Sequence, residues 1–185
     1  MEKQFSVEKS LSKIKRVVIT EEQISERIKE VGANLTKEYD GKPLLLLSIL
    51  KGSFVFMADL CREIKLPCKI EFMCAKSYYE GTCSSGEVII TKDIDKDLSG
   101  YHVVIVEDIV DTGRTLVQIL QILKERNPLS LKVVSLLDKP SRRVVEYEAD
   151  EVLFSIPDFF VIGYGLDCGE EYRNLPYIAE YDSSK

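Results

Sequence analysis

Two adjacent carboxylates, followed shortly by a third, are the residues of this sequence best suited to chemistry. The β-branched residues 103–106 lead into Glu107 and Asp108, and an Asp-Thr-Gly tripeptide follows at 111–113. Neighbouring carboxylates at the end of a buried strand repel each other, so a bound partner must offset that cost. Sugar hydroxyls or a hydrated Mg²⁺ ion would supply such a partner.

The turn after these acids has the composition of a phosphate cradle. Gly113 permits a tight backbone turn. Free N–H groups and the hydroxyls of Thr112 and Thr115 can then surround a phosphate at the positive end of a helix dipole. A helix cap without a ligand would explain the turn alone. The acids beside it favour a phosphorylated sugar as the ligand.

Other acid-bearing or histidine-based sites fit less well. A Walker-type nucleotide site needs the pattern Gly-x-x-x-x-Gly-Lys-Ser/Thr, which the sequence lacks. A phosphoacceptor receiver domain also fits less well, because it takes acids from its first strand as well as its third. His102 is the single histidine, which argues against a histidine-based zinc site or a Ser-His-Asp triad.

Size, charge and cysteine usage indicate an ordinary globular protein. Its 185 residues are enough for one domain, 1–185, with a substantial core. The net charge of −6 argues against a nonspecific nucleic-acid binder. Five scattered cysteines predict reduced thiols. We find no signal peptide and no apolar run of ~18 residues, so we expect a cytoplasmic protein without a membrane partner.

Helix and strand patterns alternate along the chain. Thr20 and Gln23 form a predicted capping box for a helix over 21–38. The continuously apolar run Leu44–Leu50 predicts a strand buried on both faces. We also predict helices after residue 53 and over 116–123, and strands near 70–74, 103–106, 132–137, 152–154 and 160–162. The alternation predicts an α/β fold with a mostly parallel, doubly wound sheet and flanking helices.

The predicted sheet brings three loops of the chain together. In open α/β sheets, ligands gather at the carboxyl ends of the strands, so the loops 51–53, 107–115 and 139–141 should share one site.

Residues 76–100 are rich in Ser, Gly, Thr, Lys and Asp, with only 88–90 apolar. We expect this segment to be a projecting β-ribbon or a mobile loop.

At these motifs the chain resembles the type I phosphoribosyltransferases. Their hallmark, an apolar run followed by Glu-Asp-x-x-Asp-Thr-Gly, stands at Val103–Thr115. Further motifs resemble the branch that acts on hypoxanthine, or on hypoxanthine and guanine, and the resemblance runs from about the first helix to near the C-terminus. These motifs are Leu50-Lys51-Gly52-Ser53, Ser77-Tyr78, Lys139, and Phe160-Val161-Ile162-Gly163-Tyr164 followed by Leu166-Asp167 and Arg173.

The resemblance implies a reaction and its cofactor, Mg²⁺. In purine salvage, a 6-oxopurine and 5-phosphoribosyl 1-pyrophosphate would give the nucleoside 5′-monophosphate, IMP or GMP, and pyrophosphate. Asp111 matches the base that takes the proton from purine N7. Glu107 and Asp108 match residues that hold the ribose hydroxyls and influence Mg²⁺, and Asp167 matches a direct metal ligand. The 5′-phosphate would lie against Asp111, Thr112, Gly113, Arg114 and Thr115.

The remaining matches concern the pyrophosphate and the purine. Lys51, Gly52 and Arg173 match pyrophosphate contacts. Lys139 matches the donor to the purine 6-oxo group; because lysine has donors and no acceptor, it mismatches the 6-amino group of adenine. Phe160 matches the aromatic ring that stacks on the base. Val161, with backbone contacts, and Asp167 match residues at the edge of the base.

The resemblance also implies a lid, a hood and an oligomer. Ser77 and Tyr78, with the polar segment 76–100, match a mobile loop that closes over the reacting centre and excludes water. The N- and C-terminal segments would form a small hood, and the protein would be a homodimer or homotetramer. Two alternatives stay open: a phosphoribosyltransferase preferring xanthine or a pyrimidine, and a nucleotide- or RNA-binding regulator of the same fold.

Overall fold

The predicted alternation of helices and strands produces two sheets. The computed structural model describes residues 11–77 and 88–184. In order, the elements are β1 (Ile14–Ile19), α1 (Glu21–Glu38), β2 (Leu44–Leu50), α2 (Phe54–Glu63), β3 (Cys68–Ser77), β4 (Val88–Lys92), β5 (His102–Val110), α3 (Arg114–Lys124), β6 (Ser130–Asp138), a 3-10 helix (Pro140–Arg142), β7 (Glu151–Ser155), β8 (Val161–Ile162) and β9 (Ile178–Tyr181).

The larger sheet has six strands in the order β4-β3-β2-β5-β6-β7. All neighbours are parallel except β4, which runs antiparallel to β3. This arrangement confirms the predicted α/β fold with a mostly parallel sheet. None of the helices in the described ranges has the length and apolar character that crossing a membrane requires. Four cysteines lie in those ranges, and all four have free thiols.

Helix α1 begins where its capping box predicts. The backbone N–H of Gln23 donates to Thr20 Oγ1 at 3.3 Å, and the backbone N–H of Thr20 donates to Gln23 Oε1 at 2.9 Å. These two bonds satisfy N–H groups that the first turn of a helix leaves without partners. The periodic apolar residues of this helix, Ile24, Ile28, Val31 and Leu35, are all buried.

The core lies in two layers, one on each face of the larger sheet. Successive side chains of a strand point to opposite faces. Accordingly Leu44 and Leu46 of β2 pack with residues of α1 and α2, whereas Leu45 and Leu47 pack with the apolar face of α3. Helices therefore cover β2 on both sides, which explains why its sequence is continuously apolar.

The smaller sheet corrects one prediction. The strand expected near 160–162 is β8, which does not join the larger sheet but forms a three-stranded antiparallel sheet in the order β1-β9-β8. Strands β1 and β9 were not predicted from the sequence. In β1 most residues are exposed or half-buried and only Ile19 is buried, so its pattern lacks a clear apolar face.

Strand β5 is longer than predicted. Its ladder with β6 continues beyond Val106, through Glu107–Ser135 and Ile109–Leu137 to Val110–Asp138. The backbone pairing does not depend on the acidic side chains, which is why the composition suggested an earlier end. Glu107 and Asp108 consequently belong to the strand, and their side chains point to opposite faces.

The segment 76–100 is only partly a projecting ribbon. Its two arms pair antiparallel, with Ala75 opposite Ile90 and Ser77 opposite Val88, and residues 78–87 lie outside the described ranges. The last part, 93–100, packs against the protein instead of projecting, because Ile94 and Leu98 are buried in the core. The segment expected to act as a lid therefore ends before residue 93, earlier than the composition suggested.

Candidate functional site

The parallel strands bring the three predicted loops to one edge of the sheet. Val110 and Asp138 are paired at the ends of β5 and β6. Immediately beyond them, the backbone N–H of Lys139 donates to the carbonyl of Val110 at 3.0 Å. Asp111 and Lys139 therefore follow directly from hydrogen-bonded positions on neighbouring strands.

The turn after β2 touches the acidic strand at Gly52. A Cβ at this position would lie 1.5 Å from Asp108 Oδ2, so no side chain fits there. Gly165 approaches from the other direction: its φ is +98°, and a Cβ on it would lie 2.1 Å from the carbonyl oxygen of Gly52. Two glycines thus allow three chain segments to meet around one carboxylate. The peptide bond between Leu50 and Lys51 is cis.

The two adjacent acids of β5 are held in an unfavourable environment for charge. Burial raises the pKa of Asp108 to about 6, although the N–H of Ile109 and the charge of Arg173 oppose the shift. Burial, reinforced by the charge of Asp108, also raises the pKa of Glu107 well above its ordinary value. The Oε2 atom of Glu107 is buried and has no hydrogen-bond partner among the described residues.

Glu107 has the chemistry of a ligand to a hard divalent cation such as Mg²⁺. A buried carboxylate oxygen without a partner is the kind of ligand that Mg²⁺ prefers. Within residues 11–77 and 88–184, no three or more His, Cys, Asp or Glu side chains are grouped closely enough to hold a metal ion. Mg²⁺ normally keeps several waters and takes substrate oxygens as ligands, so a complete protein cage is not required.

Behind the acids, the turn into α3 encloses a small cavity. Its volume is about 220 Å³, and it is lined by residues 107–113, 115 and 116. Gly113 has a φ of +81°, and a Cβ there would lie 2.7 Å from Val145 Cγ2. The backbone therefore turns tightly into the N-terminus of α3, where N–H groups can bind an anion. The Arg114 side chain is exposed, so only its backbone faces this turn.

Lys51 and Arg173 are held together by Glu170, an acid that the sequence analysis did not single out. Lys51 Nζ lies 2.7 Å from Glu170 Oε2, and Arg173 Nη2 lies 3.5 Å from the other carboxylate oxygen. The same Nη2 is 2.9 Å from Asp167 Oδ1. Arg173 Nη1 donates to the Gly165 carbonyl at 2.7 Å, whereas its buried Nε has no partner among the described residues. Two cations thus border the Gly52 turn.

Lys139 is nearly buried. Only 7% of this residue is exposed, and its Nζ donates to the carbonyl oxygen of Phe159 at 2.7 Å. A lysine in such a position is a directed hydrogen-bond donor, because its stem is fixed by packing. Its ammonium also lies 3.8 Å from Asp158 Oδ1.

The two consecutive phenylalanines near Lys139 have different environments. Phe159 packs against the core, whereas Phe160 is 52% exposed. The Phe160 ring meets Tyr181 edge-on, with centroids 5.7 Å apart. Val161 is buried and pairs with Glu180 of β9. One aromatic face is therefore presented outward beside Lys139.

Two arginines that sequence reasoning missed hold the Asp111 loop. Arg143 donates to the carbonyl of Asp111, to the carboxylate of Asp138 and, at 3.0 Å, to the carbonyl of Tyr147. Arg142 Nε donates to Asp111 Oδ1 at 3.0 Å, and this bond raises the pKa of the guanidinium. The sequence held one signal for them, because Arg142 and Arg143 are adjacent and follow Lys139 by three and four residues.

The expected lid residues are only partly visible. Ser77 is the last residue of β3, whereas Tyr78 lies outside the described ranges. A larger cavity, of about 880 Å³, lies elsewhere, between α1, α2 and residues 164–176. It does not include the acids of β5, so its size alone does not make it the reacting centre.

Known proteins share much of the sequence and the fold of this chain. The model of the phosphoribosyl transferase domain matches residues 18–168. A hypoxanthine-guanine phosphoribosyltransferase of Streptococcus pneumoniae (strain ATCC BAA-255 / R6) is 51% identical over 165 residues, covering 89% of this chain and 92% of the relative. A hypoxanthine phosphoribosyltransferase of Salmonella typhimurium is 48% identical over 166 residues, covering 89% and 93%. The crystal structure of a hypoxanthine phosphoribosyltransferase from Staphylococcus aureus has a TM-score of 0.90 at 49% identity, covering 97% of this chain and 96% of that one.

The contact at Gly52 predicts a sharp difference between two glycine substitutions. In Gly52→Ala the new methyl group would overlap the Asp108 carboxylate, so we expect the free energy of unfolding to fall by about 1–3 kcal/mol. Gly100→Ala is the control, because an added Cβ there meets nothing within 4 Å. Denaturant titration measures both. Equal stability of the two variants would contradict the close packing at Gly52.

The pKa of Asp108 predicts how stability depends on pH. Because the folded protein keeps this proton up to about pH 6 and the unfolded chain releases it near pH 4, the folded state binds more protons between these values. The stability of the ligand-free protein should therefore fall as the pH rises through this window. Relative to Asp108→Asn, we expect the wild type to lose about 1 kcal/mol or more between pH 4 and 7 in urea titrations. Parallel pH profiles of the two proteins would refute the raised pKa.

Proposed function

The chain belongs to the phosphoribosyl transferase family, and from that premise we propose that it transfers the 5-phosphoribosyl group of 5-phosphoribosyl 1-pyrophosphate to N9 of hypoxanthine and of guanine, releasing pyrophosphate. The observation that carries the proposal is the placement of Asp111 and Lys139. Both follow directly from hydrogen-bonded ends of neighbouring strands, beside the carboxylate pair of β5. A general base and a directed donor are what a 6-oxopurine requires.

Lys139 recognises the 6-oxo group of the purine. Its ammonium donates to the Phe159 carbonyl and has further N–H bonds available for O6. A 6-amino group offers donors at the same place and would face the ammonium without a bond, so adenine is rejected. The exposed ring of Phe160 stacks on the base, and backbone groups at Val161 together with Asp167 contact its edge.

Asp111 is the general base. As N9 bonds to C1′ of the sugar, the proton on N7 becomes more acidic and passes to the Asp111 carboxylate. The C1′–oxygen bond to pyrophosphate breaks in the same event, and the leaving group takes the bonding electron pair. The role needs a carboxylate fixed near the purine, and two arginine contacts hold this loop.

The sugar phosphate and the leaving group occupy the two sides of the acidic strand. The 5′-phosphate binds in the cavity of the turn Asp111, Thr112, Gly113, Arg114 and Thr115, and Glu107 and Asp108 hold the ribose hydroxyls. Lys51, the backbone of Gly52 and Arg173 bind pyrophosphate, and the two side chains give up their contacts with Glu170 to do so. Glu107, Asp108 and Asp167 would hold Mg²⁺, directly or through water, and the ion would supply positive charge that neutralises the departing pyrophosphate.

Closure over the centre and self-association complete the proposal. Ser77, at the end of β3, and Tyr78, the next residue in the sequence, would belong to the lid that keeps water from the cationic sugar. We also propose a homodimer or homotetramer, which sizing chromatography would test.

A pyrophosphate-release assay with four bases tests the function. With 5-phosphoribosyl 1-pyrophosphate and Mg²⁺, hypoxanthine and guanine should give pyrophosphate and the matching nucleotide, whereas adenine should not. Turnover of xanthine in preference to hypoxanthine would favour the alternative base specificity. Nucleotide binding without any pyrophosphate release would favour a regulator of the same fold.

Asp111→Asn should retain the fold and lose most of the turnover. An amide cannot take the N7 proton, so we expect kcat with hypoxanthine to fall by ~10²–10⁴. The exchange keeps the size of the side chain, and Asp111 is partly exposed, so the melting temperature should change little. Near-normal turnover in this variant would remove Asp111 from the role of base.

A further inference from the structure

A chain of charged contacts connects the two residues assigned to the purine. Lys139 Nζ lies 3.8 Å from Asp158 Oδ1, and the other oxygen of Asp158 lies 3.5 Å from Arg142 Nη1. Arg142 Nε then donates to Asp111 Oδ1 at 3.0 Å. The order Lys139–Asp158–Arg142–Asp111 alternates in sign, so each member attracts the next.

Fold stability does not account for this chain. The side chains of Arg142, Asp111 and Asp158 are 46%, 40% and 50% exposed. Ion pairs with such exposure contribute about 0–1 kcal/mol to folding. Arg143, by contrast, is only 14% exposed in its pair with Asp138 and holds the backbone of the same loop. Arg143 therefore already anchors the loop backbone. The contact from Arg142 acts instead on the Asp111 side chain, whose carboxylate it orients.

The contact distinguishes the two oxygens of Asp111. Oδ1 is the oxygen that accepts the bond from Arg142 Nε. A guanidinium bond to one oxygen fixes the rotation of the carboxylate and keeps the other oxygen available. The base requires that arrangement, since the atom that accepts a proton must reach within hydrogen-bond distance of it.

We propose that Arg142, itself held by Asp158, is a positioning residue that binds Asp111 Oδ1 and directs Oδ2 to the purine N7 proton. This inference rests on the proposed function and deepens it.

Two purine analogues test the inference, because they differ at N7. In 9-deazahypoxanthine the N7–H is present, whereas 7-deazahypoxanthine carries carbon there and cannot donate to Asp111. Arg142→Gln should weaken binding of 9-deazahypoxanthine by about 10- to 100-fold, the range for a hydrogen bond to a charged group. Binding of 7-deazahypoxanthine should change less than about twofold, since the lost orientation concerns only N7. Calorimetry measures both affinities, with pyrophosphate and Mg²⁺ present in place of 5-phosphoribosyl 1-pyrophosphate.

Turnover supplies the second readout. For Arg142→Gln we expect kcat with hypoxanthine to fall about 10- to 100-fold, with KM for the phosphoribosyl donor unchanged within about twofold. Arg142→Lys should recover part of the loss, because it keeps the charge. The matched control is Arg126→Gln: Arg126 also pairs with an aspartate, Asp93, but at the opposite edge of the sheet. This control should have wild-type kcat and KM.

A double-mutant cycle tests the role of Asp158. If Asp158 acts through Arg142, Arg142→Gln/Asp158→Asn should have the same kcat as Arg142→Gln alone, while Asp158→Asn alone shows a smaller loss. The inference would be overturned if Arg142→Gln weakened the binding of both analogues equally, or if it kept the full kcat. Normal turnover by the wild type would in that case leave the proposed function intact. A wild type that turns over no purine would overturn the proposed function, and the inference with it.

Discussion

The burial of two adjacent carboxylates on one strand is the constraint on which the rest of this site depends. Glu107 and Asp108 both have raised pKa values because β5 carries them into the protein. Such a pair is unfavourable unless the surroundings or a ligand offset the charge. The surroundings meet part of the requirement: Gly52 leaves space for the Asp108 carboxylate, and Arg173 lies close enough to oppose its pKa shift. The unpartnered oxygen of Glu107 is the part of the requirement that the described residues leave unmet.

The parallel sheet converts this local arrangement into a site with separate regions. Because side chains alternate along β5, its two acids point to opposite faces. Asp108 lies against the Gly52 turn, where Lys51 and Arg173 are the available cations. The end of the strand continues into Asp111 and the anion-binding turn, and the neighbouring strand ends at Lys139. Under the proposed function, the leaving group, the sugar phosphate and the base take separate positions around one strand end.

Much of this could be predicted from the sequence because the signals are local. The capping box at Thr20, the continuous apolar run of β2 and the periodic face of α3 each lie within at most 11 consecutive residues. The acids and the Asp-Thr-Gly turn are likewise contiguous. What escaped prediction depends on distant contacts: the extension of β5 by pairing with β6, and the pairing of β8 with β9 outside the larger sheet. Arg142, Asp158 and Glu170 gave no sequence signal strong enough to separate them from ordinary surface charges.

A crystal structure with the product nucleotide IMP tests the central claim most directly. The account predicts the hypoxanthine ring on Phe160, with Lys139 Nζ within hydrogen-bond distance of O6 and the Asp111 carboxylate at N7. The 5′-phosphate should occupy the turn that begins α3. Binding of IMP in the larger cavity between α1 and α2, with Asp111 and Lys139 free of it, would contradict the account.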